Sequence, residues 1–109
     1  MSMTVIVTRN VSDRVRGFLA SSMLEVGPGV YTGFRQSPAV RERIWSVLED
    51  WFTVEIGASI VMVWNDPNTP GGQAVKVLGV PPVELVEVDG IILAKRPARR
   101  EERALGPPG

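Results

Sequence analysis

The chain has 109 residues, close to the commonest size of a single domain, and its composition excludes several kinds of protein. It contains no cysteine and no histidine, which excludes disulfide bonds, thiol chemistry, imidazole acid–base catalysis and the usual zinc sites. Hydrophobic residues make up 44% of the chain and charged residues 22%, which is ordinary for a folded soluble domain. No apolar run approaches the roughly 18 residues of a membrane span. We therefore expect a cytoplasmic protein that does not bind a membrane.

The formal net charge is zero, but the charges are unevenly distributed along the chain. Residues 1–43 carry six basic and three acidic side chains, whereas residues 44–94 carry one basic and seven acidic side chains. The tail, residues 95–109, is again basic, with five basic and two acidic side chains. This segregation favours an anionic partner for the N-terminal part of the chain, and unpatterned solvated faces are the alternative interpretation.

The first third of the chain has the pattern of a strand, a helix and a second strand. Residues 3–7 form a short, β-branched apolar run that is typical of a central strand. From Ser12, apolar residues at helical spacing continue as far as Val26, and the sequence 27–29, Gly-Pro-Gly, predicts the end of this helix. Residues 30–34 predict the second strand.

The middle of the chain predicts a second helix and an antiparallel pair of strands. Ser37 is a favourable N-cap and Pro38 a favourable first helical residue, and one apolar face follows as far as Trp51. Residues 60–64 and 74–78 predict two strands, because a loop rich in Asn, Pro and Gly separates them.

The C-terminal part predicts two short extended segments and a tail. Residues 83–88 and 91–94 flank the dipeptide 89–90, Asp-Gly, which is a tight-turn signal. We assign residues 1–94 to one domain. Residues 95–109 are charged and rich in Pro and Gly, so we expect them to form a mobile basic tail.

The predicted order of elements is β, α, β, α, β, β, followed by a short C-terminal strand. This order favours an α+β fold, a ferredoxin-like sandwich of the βαββαβ type in which two helices cover one face of an antiparallel sheet. The other sheet face needs burial elsewhere, as do three aromatic residues left over from the helix faces, Trp45, Phe52 and Trp64. A second copy of the chain can bury both, so we expect a homodimer.

A set of residues in one order makes the first 45 positions similar to a known family. The set comprises the opening Met-Ser-Met, Val5-Ile6-Val7-Thr8, Arg14, Arg16, Gly17, Leu19, Leu24-Glu25-Val26, Gly29-Val30-Tyr31, Gly33, Arg41-Glu42 and Ile44-Trp45. Together these residues closely resemble the type I-E branch of CRISPR-associated protein 2. The resemblance extends from Met1 to about Ala94 and does not include the tail.

The resemblance implies a function in antiviral defence. It implies a ferredoxin-like homodimer that bridges dimers of the integrase subunit, CRISPR-associated protein 1, and cradles foreign duplex DNA during spacer acquisition. It also implies that Arg14 and Arg16 face the DNA backbone and that the C-terminal strand region docks on the integrase. In that region we expect the partner-binding residues to be Glu84, Glu87, Asp89, Ile91 and Leu93.

Arg9 is the residue that argues against the alternative function, a metal-dependent nuclease, which the resemblance also implies. In nuclease-like relatives an acid at the end of the first strand can hold a divalent cation, and this sequence has Arg9 in that region instead. Asp13 is the nearest carboxylate, and helix capping and the helix dipole explain it. We therefore predict a non-catalytic subunit with no metal site and no cofactor. A magnesium-dependent endoribonuclease or endodeoxyribonuclease is the alternative.

Three further arginines are candidates for DNA contact: Arg9, Arg41 and Arg43. Contact with phosphates rather than bases suits a protein that handles arbitrary sequences. For Arg41 and Arg43 a solvated helix face is the alternative. We expect the three tryptophans to be core or interface residues rather than platforms for stacked bases. The acidic residues near the C-terminus either complement a basic patch on the integrase or keep an edge strand soluble.

Overall fold

The structure, a computed structural model, describes residues 2–52, 57–81 and 84–95. In chain order its elements are β1 (Ser2–Arg9), α1 (Asp13–Ser22), β2 (Leu24–Gly27), β3 (Val30–Gln36), α2 (Pro38–Trp51), β4 (Ser59–Asn65), β5 (Gln73–Gly79), β6 (Glu84–Val88) and β7 (Ile91–Lys95). Five strands form an antiparallel sheet in the order β2-β3-β1-β4-β5, and β6 pairs with β7 in a separate sheet. The fold is α+β, and its five-stranded sheet with two helices is compatible with a ferredoxin-like sandwich.

Strand β1 lies at the centre of the larger sheet, and alternate residues of β1 build the core. Ile6 is opposite Tyr31 of β3 on one side and opposite Met62 of β4 on the other, and all three are buried. Since side chains alternate between the two faces of a strand, these residues mark the face that the helices cover. The helix residues in the same core cluster are Val15, Leu19, Ile44, Trp45 and Leu48.

Helix α1 is shorter than the sequence predicts, and the helical interpretation of Val26 is wrong. The helix ends at Ser22, because Met23 already has an extended backbone (φ −141°, ψ 172°). Residues Leu24–Gly27 form β2 instead, which pairs with β3 through a turn in which Gly29 has a φ of +76°. The apolar residues of a short strand happen to fall at helical spacing here, and pairing with β3 outweighs that local pattern.

Two local signals in the sequence are confirmed. The Ser37 side chain caps α2 by accepting a hydrogen bond from the N–H of Val40 at 3.2 Å, and Pro38 is the first helical residue. The predicted turn between β6 and β7 is also present, with positive φ angles of 52° at Asp89 and 80° at Gly90. Positive φ at both central residues is typical of the two-residue turns that connect antiparallel strands.

The sequence analysis expected Trp45, Phe52 and Trp64 to need burial by a partner chain. This expectation is wrong, because all three pack within the monomer. Trp45 is 5% exposed and belongs to the core, while Phe52 and Trp64 are half-buried and pack against that core. Trp45 follows Ile44 directly, and both side chains face the sheet because the apolar stripe of α2 is wide enough for adjacent positions. These aromatic residues therefore do not require burial by a second copy.

The open face of the five-stranded sheet is a separate reason to expect a partner. In the described ranges both helices lie on the opposite face. Several apolar side chains of the open face are exposed: Met3, Val7, Leu24, Phe34 and Val77. Phe34 is 78% exposed, the largest fraction among these side chains.

The predicted boundary of the tail falls within β7, because that strand extends to Lys95. The rest of the predicted tail, residues 96–109, lies outside the described residues. Neither described helix has the length and apolar character needed to cross a bilayer.

Candidate nucleic-acid interface

Three of the predicted DNA-binding arginines lie at one end of the sheet, where β1 leads into α1. Arg9 is the last residue of β1, and Arg14 and Arg16 lie in the first turns of α1; all three are exposed. The hydroxyl of Ser12 caps the helix by accepting the N–H of Val15 at 3.3 Å. The start of a helix favours anions through its free N–H groups and its dipole, so Arg14 and Arg16 extend a positive region there. Arg9 alternates with Val7 and lies on the open face of the sheet.

Arg14 is stacked on an aromatic ring of the other helix. Its Cζ atom lies 3.7 Å from the ring centroid of Trp51, the last residue of α2. Phe18, one turn further along α1, meets the same indole edge-on, with ring centroids 5.5 Å apart and an interplanar angle of 70°. A guanidinium within about 6 Å of an aromatic centroid makes a favourable cation–π contact. The stack therefore joins the start of α1 to the end of α2.

Arg16 has different neighbours, and they are acidic. Its Nη1 atom lies 3.7 Å from Oδ1 of Asp13. Burial raises the pKa of the Tyr31 phenol, the Glu25 carboxylate raises that pKa further, and Arg16 opposes the shift, so Arg16 lies near both groups. Glu25 also accepts the N–H of Gly29 at 3.2 Å, in the turn between β2 and β3. Arg16 is thus paired with the exposed carboxylate of Asp13 and lies near that of Glu25.

Arg41 and Arg43 do not join this cluster of arginines. Arg41 is half-buried in the first turns of α2, with its Cζ atom 4.4 Å from the ring centroid of Trp64. Trp51 lies ten residues further along α2, about 15 Å away at 1.5 Å per residue. Arg41 also borders a cavity of about 560 Å³ at that end of the sheet. Arg43 is exposed on α2.

The predicted partner-binding residues lie on the β6–β7 hairpin. Ile91 is opposite Val88 and Leu93 is opposite Val86, so these four side chains share one face of the hairpin. Ile91 and Leu93 are each about half exposed. Contact with the rest of the domain includes the N–H of Gly71, which donates to the carbonyl of Gly90 at 3.0 Å.

The predicted acidic members of the partner-binding set are only partly described. Glu87 and Asp89 are exposed, and Asp89 lies in the turn of the hairpin. For Glu84 the structure describes the backbone in β6, and its side chain lies outside the description. The exposed carboxylates and the exposed apolar side chains therefore occur on the same small hairpin.

The carboxylate required by the nuclease alternative, Asp13, is fully exposed beside Arg16. Within residues 2–52, 57–81 and 84–95, no three acidic side chains lie close enough together to share a metal ion. Arg9 is at the end of β1, as the sequence predicts. The formal charge nearest to the start of α1 is therefore mainly positive.

Trp51 and Trp64 each make a contact that the sequence reasoning missed. Both tryptophans pack against the core, in agreement with the prediction that they are core or interface residues. Each also carries a stacked arginine from a distant part of the chain. No local spacing signals these pairs, because the packing of the two helices and β4 brings the partners together.

The described residues form a small α+β fold with a five-stranded antiparallel sheet, and exposed arginines lie where its first strand meets its first helix. The family model described as CRISPR-associated protein (Cas_Cas2CT1978) matches residues 3–93 of the chain. The chain therefore belongs to this Cas2-like family of CRISPR-associated proteins. The match includes the described sheet, both helices and almost all of the β6–β7 hairpin.

Proposed function

We propose that this protein is a non-catalytic, DNA-binding subunit of the CRISPR adaptation complex, of the type I-E branch, and that it holds duplex DNA by its backbone during spacer acquisition. Membership of the family supplies the CRISPR context. The observation that carries the proposal is the exposed guanidinium of Arg14, stacked on Trp51 at the positively polarised start of α1. The exposed Arg9 lies at the same end of the sheet, but on the open face beside Val7.

The chemistry of this surface favours phosphate over base recognition. A guanidinium matches two phosphate oxygens with two parallel N–H groups, and its charge displaces counterions from the DNA. Neither interaction depends on base sequence. A subunit that accepts foreign DNA of any sequence needs such a surface.

The test is a titration of fluorescently labelled duplexes of two unrelated sequences, followed by anisotropy at several salt concentrations. We expect equal affinities for the two sequences. We also expect Arg14→Ala to weaken binding to both alike and to lower the salt slope by about one unit. Lys76→Ala is the matched control, because Lys76 is an exposed cation on β5, away from the start of α1. A loss confined to one sequence would contradict backbone recognition.

We further propose that a second copy of the chain covers the open face of the sheet. Exposed apolar residues on all of β1, β2, β3 and β5 support this proposal, because a continuous apolar surface is unfavourable in water. A two-fold operator buries the same surface on both copies. The resulting homodimer has two positive regions, one from each α1.

The β6–β7 hairpin is the proposed docking site for the integrase subunit. An isolated two-stranded hairpin is marginally stable in water, and this one exposes Ile91 and Leu93 on one face. Glu87 and Asp89 provide negative charge that complements a basic partner surface. The subunit would then join DNA at one end of its sheet to the integrase at its C-terminal hairpin.

A further inference from the structure

We infer that Trp51 is a positioning residue for Arg14: its indole holds the guanidinium where α1 begins, with the N–H groups of Arg14 ready for one DNA phosphate. The inference rests on the proposed function, since the ligand is the DNA backbone. It adds a residue that does not touch the DNA itself.

The geometry of the stack leaves the hydrogen-bonding groups of Arg14 available. At 3.7 Å from Cζ to the ring centroid, the guanidinium lies against the indole face. The five N–H groups of a guanidinium lie in its own plane, so a ring against its face occupies none of them. Arg14 is exposed, so its guanidinium is accessible to solvent. Trp51 thus restrains the cation without competing with a phosphate for its hydrogen bonds.

The indole itself is held in place by both helices. Trp51 is half-buried, packs against the core and terminates α2, while Phe18 of α1 contacts its ring edge-on. Arg14 and Phe18 are four residues apart on α1, so they lie on one side of the helix and reach the same ring. The arginine is therefore fixed relative to the helix pair and not only to its own backbone.

Restraint of a long side chain before binding improves affinity. An unrestrained arginine loses rotamer freedom when it binds a phosphate, and this cost is lowered when the side chain is already ordered. Arg16 differs in this respect, because the carboxylate of Asp13 competes with a phosphate for the same cation. Arg14, stacked on Trp51, should therefore lose less rotamer freedom on binding a phosphate and have less competition for its charge than Arg16.

A double-mutant cycle on the full chain tests the inference. The four proteins are wild type, Arg14→Ala, Trp51→Leu and the double variant, each titrated against the same labelled duplex by anisotropy. We expect Trp51→Leu to weaken binding about threefold to tenfold, with no change in the salt slope because every charge remains. In the Arg14→Ala background, Trp51→Leu should have no further effect.

A conservative variant and a stability measurement separate positioning from folding. Trp51→Tyr keeps an aromatic face, so it should bind DNA within about twofold of wild type. A merely structural tryptophan would lower the melting temperature and weaken binding by the same factor with or without Arg14. That additive result, or wild-type affinity in Trp51→Leu, overturns the positioning role while leaving DNA binding intact. Absence of duplex binding by the wild-type chain overturns both proposals.

Discussion

The Oδ1 atom of Asp13 lies 3.7 Å from Nη1 of Arg16, one turn further along α1. The carboxylate that a metal-dependent nuclease would need is therefore paired with a cation at the start of the helix. An arginine beside a carboxylate disfavours a divalent cation there, because like charges repel. Both side chains are largely exposed, so the pair itself contributes little to folding stability.

This pairing predicts that Asp13 is not a catalytic residue. We expect no cleavage of RNA or duplex DNA by the purified chain in magnesium or manganese, measured on denaturing gels. We also expect Asp13→Asn to bind duplex DNA as tightly as wild type or up to about threefold more tightly, because Arg16 loses a competing carboxylate. Cleavage that requires the metal and disappears in Asp13→Asn would establish the nuclease alternative instead.

The different neighbours of the two arginines predict unequal effects on DNA binding. Arg14→Ala should weaken binding more than Arg16→Ala, because Arg16 is paired with Asp13, whereas Arg14 has no ion pair among the described residues and stacks on Trp51. The difference should also appear in the salt slope, with a decrease of about one unit for Arg14→Ala and a smaller decrease for Arg16→Ala. Anisotropy titrations over a range of salt concentrations measure both quantities. Equal losses would show that the acidic neighbours do not matter.

The open sheet face predicts a dimer that a single charge disrupts. Phe34→Glu places a carboxylate on the apolar face, where burial against a second copy would be costly. We expect light scattering to give the mass of two chains for wild type and of one chain for Phe34→Glu. The domain itself should remain folded, because Phe34 is 78% exposed in the monomer. Lys76→Glu, a charge change at another exposed strand position, should keep the dimer mass.

Two glycines predict opposite effects of alanine on stability. Gly79 has a φ of +77°, and a Cβ atom there would collide with the carbonyl oxygen of Ala58, so Gly79→Ala should destabilise the fold by at least about 1–2 kcal/mol. Gly17 lies in α1 with open space around the position of its Cβ, so Gly17→Ala should stabilise the fold by about 0.5–1 kcal/mol. Chemical denaturation measures both free energies of unfolding. A stabilised Gly79→Ala variant would contradict the described backbone.

Local signals account for the parts of the fold that the sequence predicts well. Ser37 and Pro38 predict the start of α2, because Ser37 caps the first turn and Pro38 suits the first helical position. Asp89-Gly90 predicts the turn of the C-terminal hairpin, because both residues tolerate the positive φ angles of that turn. Val26 illustrates the opposite case. Its spacing matches the helical face of α1, yet it belongs to β2, since pairing with β3 is a long-range interaction that a local pattern does not contain.

The candidate site also has one part that the sequence predicts and one part that it does not. The positions of Arg9, Arg14 and Arg16 at the end of β1 and the start of α1 follow from element boundaries, so the sequence predicts their common location. The contact between Arg14 and Trp51 depends on how two helices pack over one sheet, which no single segment specifies. The positions of these arginines in the fold were therefore predictable, whereas the contact of Arg14 with Trp51 was not.

The hairpin predicts how the integrase subunit is bound. Leu93→Glu should abolish binding to the integrase while leaving duplex binding by this chain unchanged. The turn of its hairpin contacts Gly71, at the end of the sheet opposite to the start of α1. Pull-down of the integrase and anisotropy with duplex DNA measure the two properties separately. Glu87→Gln is the control on the same hairpin and should weaken integrase binding only modestly, as expected for an exposed charge. Full integrase binding by Leu93→Glu would place the docking surface elsewhere.

The most direct test of the structural-subunit assignment is size-exclusion chromatography of the purified chain mixed with a CRISPR integrase subunit from the same organism and a labelled DNA duplex. The assignment predicts that all three elute together in one complex, and that Arg14→Ala reduces the DNA in that complex without releasing the integrase. Separate elution of this chain from the integrase and from the duplex would contradict it.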